Sequence, residues 1–481
     1  MEEKQALARE RRRKMMLEDP MLRVIPKVAV PMIISSLIDS IYNLVDTLFV
    51  SQLGIHATAA VAINDSLMNI LRAVSMGFAI GASSYISRLL GAKEDKRASE
   101  VGSSTLFIGI AFSLAFGMVC LIFRSPIVDF LGVTPEAKLY SMQYAFWILL
   151  AAPFTTAGAI QNQLLRSEGS THFAMIGMVS GCLLNIGLDP LFINTFGWGV
   201  AGAAGATALS KVLSAVVLAI PFIRRTTMLE IGWRNFKPDK TGAAEVARMG
   251  IPAFLRMSLM SVGGILNNNI AKGFGSAVLA GISVANKLYR FVSSAIMGFS
   301  QGFGPVAGFC YGARKYKRVK EAYFTTFGIG SVAALILGSL MFFFSRGIIG
   351  WFNSEANETM FALGSLKIRA NCVVLIPHIA VMVTSNLYQS LGRPVGNLLL
   401  SMSRQLLFLI PLLLTLPGLF PLIGLPAEYG LAVCQAASDL LSFLFLALPL
   451  AIHMFKKIGR LPDGAEPPFQ TAASRAKAKN A

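Results

Sequence analysis

The chain has 481 residues, 54% of them hydrophobic and only 14% charged, with a mean hydropathy of +0.61 and a formal net charge of +18. A soluble domain carries about a quarter charged residues, so this balance predicts an all-α polytopic membrane protein. The basic excess sits in short clusters between apolar runs. No basic domain lies outside those runs, which argues against nucleic-acid binding.

The chain opens on MEEKQALARERRRKMMLEDP. This stretch is too charged for a signal peptide, and the apolar run after it is too long for a signal core. Its RERRRK run reads as a topology determinant, with binding of anionic membrane lipid as the alternative. About 20 apolar residues cross a bilayer. Twelve runs qualify: 26–50, 57–89, 102–123, 140–164, 172–195, 199–223, 247–271, 277–309, 322–346, 362–390, 396–420 and 429–454. Lys and Arg cluster before the first run and after the second, sixth, eighth and twelfth, while the intervening loops carry almost none. The positive-inside rule then places both termini in the cytoplasm. The expected organisation is a cytoplasmic tail over 1–26, a six-helix lobe over 27–225 and an inter-lobe loop over 226–246. A second six-helix lobe over 247–455 and a disordered cytoplasmic tail over 456–481 complete it.

The two halves repeat. Sliding Pro31–Arg97 by 221 positions lays it without a gap on Pro252–Arg318. Gly54, Gly77, Gly81 and Gly91 meet Gly275, Gly298, Gly302 and Gly312, and GAKEDKR meets GARKYKR. Halves that start on the same side form a parallel repeat, an arrangement common among transporters with a central cavity. Glycines four apart on long helices predict close helix packing.

Ionisable residues inside a span cost about 2.5 to 3.5 kcal/mol even on the mild insertion scale, so they are functional candidates by default. Tyr42 and Asp46 lie i, i+4 in the first span, with Asp39 on nearly the same face. Asn185 and Asp189 lie i, i+4 in the fifth. At 1.5 Å per residue, Asp46 and Asp189 both stand roughly 26–28 Å above the cytoplasmic end of their spans, and Thr207 descends to meet them in the sixth. Two carboxylates, an amide, a hydroxyl and a phenol at one level suit proton exchange or a dehydrated cation such as Na⁺. The alternative is a set of structural hydrogen bonds between helices. Pro31 and Pro190 interrupt hydrogen bonding in the first and fifth spans and predict a bend, moving or fixed.

In the second half, position 46 maps to Asn267 and position 189 to Ile410, so titrating chemistry is expected in the first half. Arg256, Lys287, Arg290 and Arg404 lie in or near later spans, some of them snorkelling to an interface. Asp439 is a secondary candidate with no acidic partner nearby in sequence. The 5 cysteines and 4 histidines are scattered, without ligand spacing. Neither a disulfide framework nor a resident metal is supported, and no HExxH or GxSxG motif points to an enzyme.

NLVDTLFVSQLG, GASSYISRLLGAKEDKRASE, LLRSEGSTHFAM, LLNIGLDPLFI and QGFGPVAGFCYGARKYKRVKEA together resemble the multidrug and toxic compound extrusion (MATE) family over residues 27–455. The resemblance is to the branch of damage-inducible and staphylococcal multidrug transporters, which lacks acidic residues in the seventh and eighth spans. It implies two six-helix bundles in a V shape, alternating access, and efflux of cationic or amphipathic drugs from a bacterial inner membrane. It also implies no cofactor beyond a coupling H⁺ or Na⁺, and a monomer. The family's cation site carries over to Asp46, Asn185, Asp189 and Thr207, with Tyr42 beside it and Pro31 at the bend. Lys211, four residues after Thr207, leans the choice toward H⁺ if its side chain faces the site, because an ammonium competes with Na⁺. A lipid or glycolipid flippase of the same superfamily is the alternative function, kept open by Arg256, Lys287 and Arg290.

Overall fold

A computed structural model describes residues 2–352 and 358–466, and helices carry almost all of them. The first half comprises α1 (Glu2–Leu17), α2 (Met21–Ser51), α3 (Ile55–Gly91), α4 (Asp95–Ile122), α5 (Arg124–Phe130), α6 (Pro135–Leu150), α7 (Ala152–Ser167), α8 (Thr171–Pro190) and α9 (Gly199–Ile223). The second comprises α10 (Lys240–Gly273), α11 (Ser276–Gly312), α12 (Tyr316–Phe352), α13 (Glu358–Val373), α14 (Leu375–Ser390), α15 (Pro394–Met402), α16 (Ile410–Leu419), α17 (Ala427–Ser442) and α18 (Leu448–Gly459). The tail sequence TAASRAKAKNA lies outside the described residues.

Among the described residues, nine helices are long and apolar enough to cross a bilayer, and eleven crossings result if each of two bent pairs is one span. The pairs are α6–α7, bent by 48°, and α13–α14, bent by 53°. The expected twelve exceeds this by one. The difference is α11, whose Asn286, Lys287, Arg290 and several serines dilute its apolar run although it is 37 residues long. At 1.5 Å per residue α3 and α11 each reach about 55 Å, well beyond a hydrocarbon core of about 30 Å.

The sequence offset survives in three dimensions. α3 and α11 end on left-handed turns at the matched residues Lys93 (φ 64°) and Arg314 (φ 58°). Before them, Gly54 (φ 97°) and Gly275 (φ 104°) make the matched turns that start both helices. The other three matched pairs, at 77 and 298, 81 and 302, and 91 and 312, lie at the joint between the halves. A Cβ on Gly81 would stand 2.2 Å from the Val246 carbonyl oxygen on α10, and one on Gly302 would stand 2.8 Å from Ala29 Cα on α2.

One end of this joint is sealed by polar contacts. Arg88, at the end of α3, pairs with Glu245 of α10 at 3.3 Å with both side chains buried. Ser84 donates to the carbonyl of Gln389 on α14. Across the same end lies α1. On the first half, Arg9 pairs with Glu230 (2.8 Å), Arg12 with Glu168 (3.0 Å) and Arg13 with Asp95 (2.8 Å). On the second, Arg318 donates to the Met16 and Asp19 carbonyls (3.3 and 2.8 Å) and Lys315 to Leu17 O (3.1 Å). The expected cytoplasmic tail over 1–26 thus holds a docked helix, α1, and the first turns of α2, and three of its arginines, Arg9, Arg12 and Arg13, meet protein carboxylates. Helix α2 continues as helix through Pro31, and Pro190 ends α8 at a switch to a π-helical turn, Leu191–Thr195. One further expectation needs correcting. The second tail starts later than 456, since α18 reaches Gly459 and Lys317 N–H donates to Asp463 at 3.2 Å.

Candidate functional site

Helices α8 and α9 pack side by side and present Asp189 and Thr207 to each other. Asp189, Asn185 and Thr207 are 0%, 1% and 2% exposed. Buried polar groups need partners, and here they find one another. The Asn185 amide is satisfied when its nitrogen donates to Asp189 Oδ2 (3.0 Å) and its oxygen accepts from the Thr207 backbone N–H (3.1 Å). From α2, Tyr42 turns inward, its hydroxyl bonding with Thr207. Asp46, one turn on, is half-buried and close enough to Asp189 for the two charges to interact. Lys211 faces this group, its Nζ 5.5 Å from the centroid of the Tyr42 ring and its charge acting on Asp46.

Asp39 stands apart from the Asp189 group. Its field reaches Tyr42, but also Arg166 and Cys182, and Arg166 donates to Gln301 of the second half. Two residues that sequence reasoning passed over join the periphery. Asp65 of α3 acts on Asp46 and is itself balanced by Arg72, and Tyr144 of α6 is buried where it feels Asp46, Asp65 and Asp189. The signal for Asp65 was present, an aspartate seven residues before an arginine within a long apolar run.

The second half holds a different polar group. Asp439 of α17 is 1% exposed. Arg404 Nε donates to its Oδ1, and the Tyr289 hydroxyl donates to its Oδ2 at 2.9 Å. His378 Nδ1 lies 3.5 Å away, and Gln435 donates at 3.4 Å. So Asp439 is a committed partner in a buried ion pair, and Arg404 points inward to it and does not snorkel. Asn267 and Arg256 lie half-buried on α10, while Lys287 and Arg290 are exposed on α11; among the described residues, none of these four joins either group. Among the described residues, no cluster of three His, Cys, Asp or Glu is arranged to hold a metal.

The profile of the family described as MatE matches residues 31–191 and 252–415, two segments that start 221 positions apart. The chain belongs to the MATE family. It is a membrane transport protein and not an enzyme. The chain is similar to the multidrug export protein MepA of Staphylococcus aureus, with 29% identity over 432 residues, covering 89% of this chain and 94% of that protein. Its counterpart in Staphylococcus saprophyticus is also 29% identical, over 86% of this chain and 92% of its own length. Among solved structures, it resembles an outward-facing multidrug resistance MATE transporter of the MOP superfamily at a TM-score of 0.86 and 25% identity, covering 93% of this chain and 98% of that one. A MOP-superfamily transporter from Pyrococcus furiosus is similar at 0.84 and 26%, over 93% and 99%.

Proposed function

We propose that this MATE protein is a secondary antiporter that exports cationic or amphipathic small molecules in exchange for H⁺, or Na⁺, by alternating access as a monomer. The lobes are residues 27–225 and 247–455, each with six crossings, α11 supplying the twelfth. Both termini lie in the cytoplasm, so the α1 end is the cytoplasmic end.

What supports this reading is that Asp46 of α2 lies near enough to Asp189 of α8 for their charges to interact, beside the amide, hydroxyl and phenol groups of Asn185, Thr207 and Tyr42. Two like charges so placed repel each other and resist burial. A cation arriving from outside removes both penalties at once. The benefit falls on the arrangement that buries the pair, which is the differential binding that drives a conformational cycle. Helix α2 is the natural transmitter, since it carries Tyr42 and Asp46 and crosses α11 of the other half at Gly298 and Gly302. Lys211 leans the choice toward H⁺, because its ammonium competes with a metal cation for the carboxylates. The MepA likeness supports drug-like substrates.

Asp46→Asn and Asp189→Asn should each abolish ethidium efflux at unchanged protein level in the membrane. Unimpaired efflux in both would overturn the proposal. In proteoliposomes an imposed pH gradient should drive ethidium movement and an imposed Na⁺ gradient should not; the reverse result reassigns the ion. Movement of labelled lipid in place of ethidium would favour a flippase.

A further inference from the structure

Two contiguous cavities on the flank of the joint have no part in the Asp46–Asp189 group. The first, about 330 Å³, is a slot between α3, α4 and α10, walled by apolar side chains that include Val74, Phe78, Ile108, Ile251 and Phe254. The second is an open shelf lined by Lys93, Lys96 and Lys240. Arg97, Glu100, Lys237 and Asp239 border both, so the hydrocarbon-lined slot runs straight into the charged shelf.

Depth and charge say what fits. Trp233 is 72% exposed and stacks on Phe236 with centroids 5.1 Å apart, just before the shelf in the chain. Phe107 of α4 meets both rings edge-on. Exposed tryptophan marks the headgroup level of a bilayer, so the slot opens below that level and the shelf lies at it. The shelf's carboxylates are occupied. Glu100 faces Lys237 at 3.5 Å, Glu94 and Asp239 each face Arg97 at 3.8 Å, and Asp95 faces Arg13 at 2.8 Å. Among the described residues Lys93, Lys96 and Lys240 have no carboxylate partner, and they leave the shelf with surplus positive charge.

We propose that slot and shelf together bind one anionic phospholipid of the leaflet on the α1 side, an acyl chain in the slot and the phosphate on the three lysines. An organic cation fits the slot but is repelled by the shelf. The site has walls from both halves, α3 and α4 from the first and α10 from the second. Gly77 and Gly250 touch in its wall, where a Cβ on Gly250 would lie 2.4 Å from the Gly77 carbonyl oxygen. Parting α3 from α10 dismantles the slot, so the lipid favours the sealed arrangement seen here. This last step alone rests on the proposed alternating access.

The test is a binding measurement on the purified full chain, free of any transport readout. Phosphatidylglycerol with a photoreactive acyl chain should crosslink to residues within 101–108 and 242–254. Replacing Lys93, Lys96 and Lys240 together by glutamine should weaken phosphatidylglycerol retention about 100-fold, since each surface cation contributes severalfold. Phosphatidylcholine retention should stay unchanged. Ala247→Trp, an exposed position lining the slot, should abolish the crosslink, whereas Leu414→Trp, 64% exposed elsewhere, should not. Crosslinks scattered over all lipid-facing helices, retention unaffected by the lysine variant, or one-for-one displacement of phosphatidylglycerol by ethidium would each overturn the assignment.

Discussion

Asp189 and Asp439 are the same residue type, equally hidden from solvent, in opposite circumstances. Asp189 accepts from an amide and shares its surroundings with a second acid. Asp439 is neutralised by Arg404 and further bonded by Tyr289 and Gln435. The first is poised to change charge; the second is held fixed. Removing one partner of a buried pair strands the other, so Arg404→Ala should cost about 3–5 kcal/mol of stability. The double change Arg404→Met with Asp439→Leu should cost far less or nothing, which a thermal unfolding series would read. Asp46→Asn should spare stability while ending transport. Asp46 and Asp189 were legible because each breaks an apolar run with a polar partner four residues away. The Arg404–Asp439 pair was not, because its members are 35 residues apart and on different helices. The repeat offset could have exposed it: positions 404 and 439 map to Leu183 and Leu218, on the neighbouring helices α8 and α9.

At the scale of helices, the gapless glycine match announced tight crossings, and the structure puts three of the four pairs at the joint between halves, Gly54 and Gly275 making turns instead. Gly302→Leu should separate α2 from α11, because its new Cβ would meet Ala29 backbone at 2.8 Å. Gly264→Leu on α10 has nothing within 4 Å and serves as the control. The first variant should melt lower and the second should be nearly unchanged. The bends after Leu150 and Val373 were not legible from hydropathy, which runs straight through them. Pro153 and Pro377 follow each break within the first turn of the next helix, where a missing N–H costs least. Helix α1 was illegible for another reason: a run of arginines looks the same whether it meets lipid, water or carboxylates.

For the whole molecule, α1 ties the two halves at one end. Its firmest anchor is Glu168, in the turn between α7 and α8 and 0% exposed. Burial pushes the Glu168 carboxyl above its usual range, against Arg12, the Ser170 hydroxyl and the Leu229 and Met228 N–H groups, which favour the ionised form. An acid with a raised folded pKa costs stability once pH exceeds its unfolded value and relieves that cost as pH falls. Arg12→Ala raises the penalty on the ionised form, so the variant should be destabilised at neutral pH and recover toward the parent as the medium is acidified. A melting-temperature profile against pH would check this.

Because α1 is gripped from both sides, its backbone doubles as a tripwire. Trypsin must unwind a stretch of chain to cut it, and since Arg9, Arg12 and Arg13 are paired with the first half, the end of α1 that loosens when the halves part is the one held by Arg318 and Lys315 of the second half at Met16, Leu17 and Asp19. Nicking after Lys14, beside those contacts, should therefore be slow in the sealed arrangement and faster once substrate or ion drives the halves apart, a clock that reads the cycle without any label.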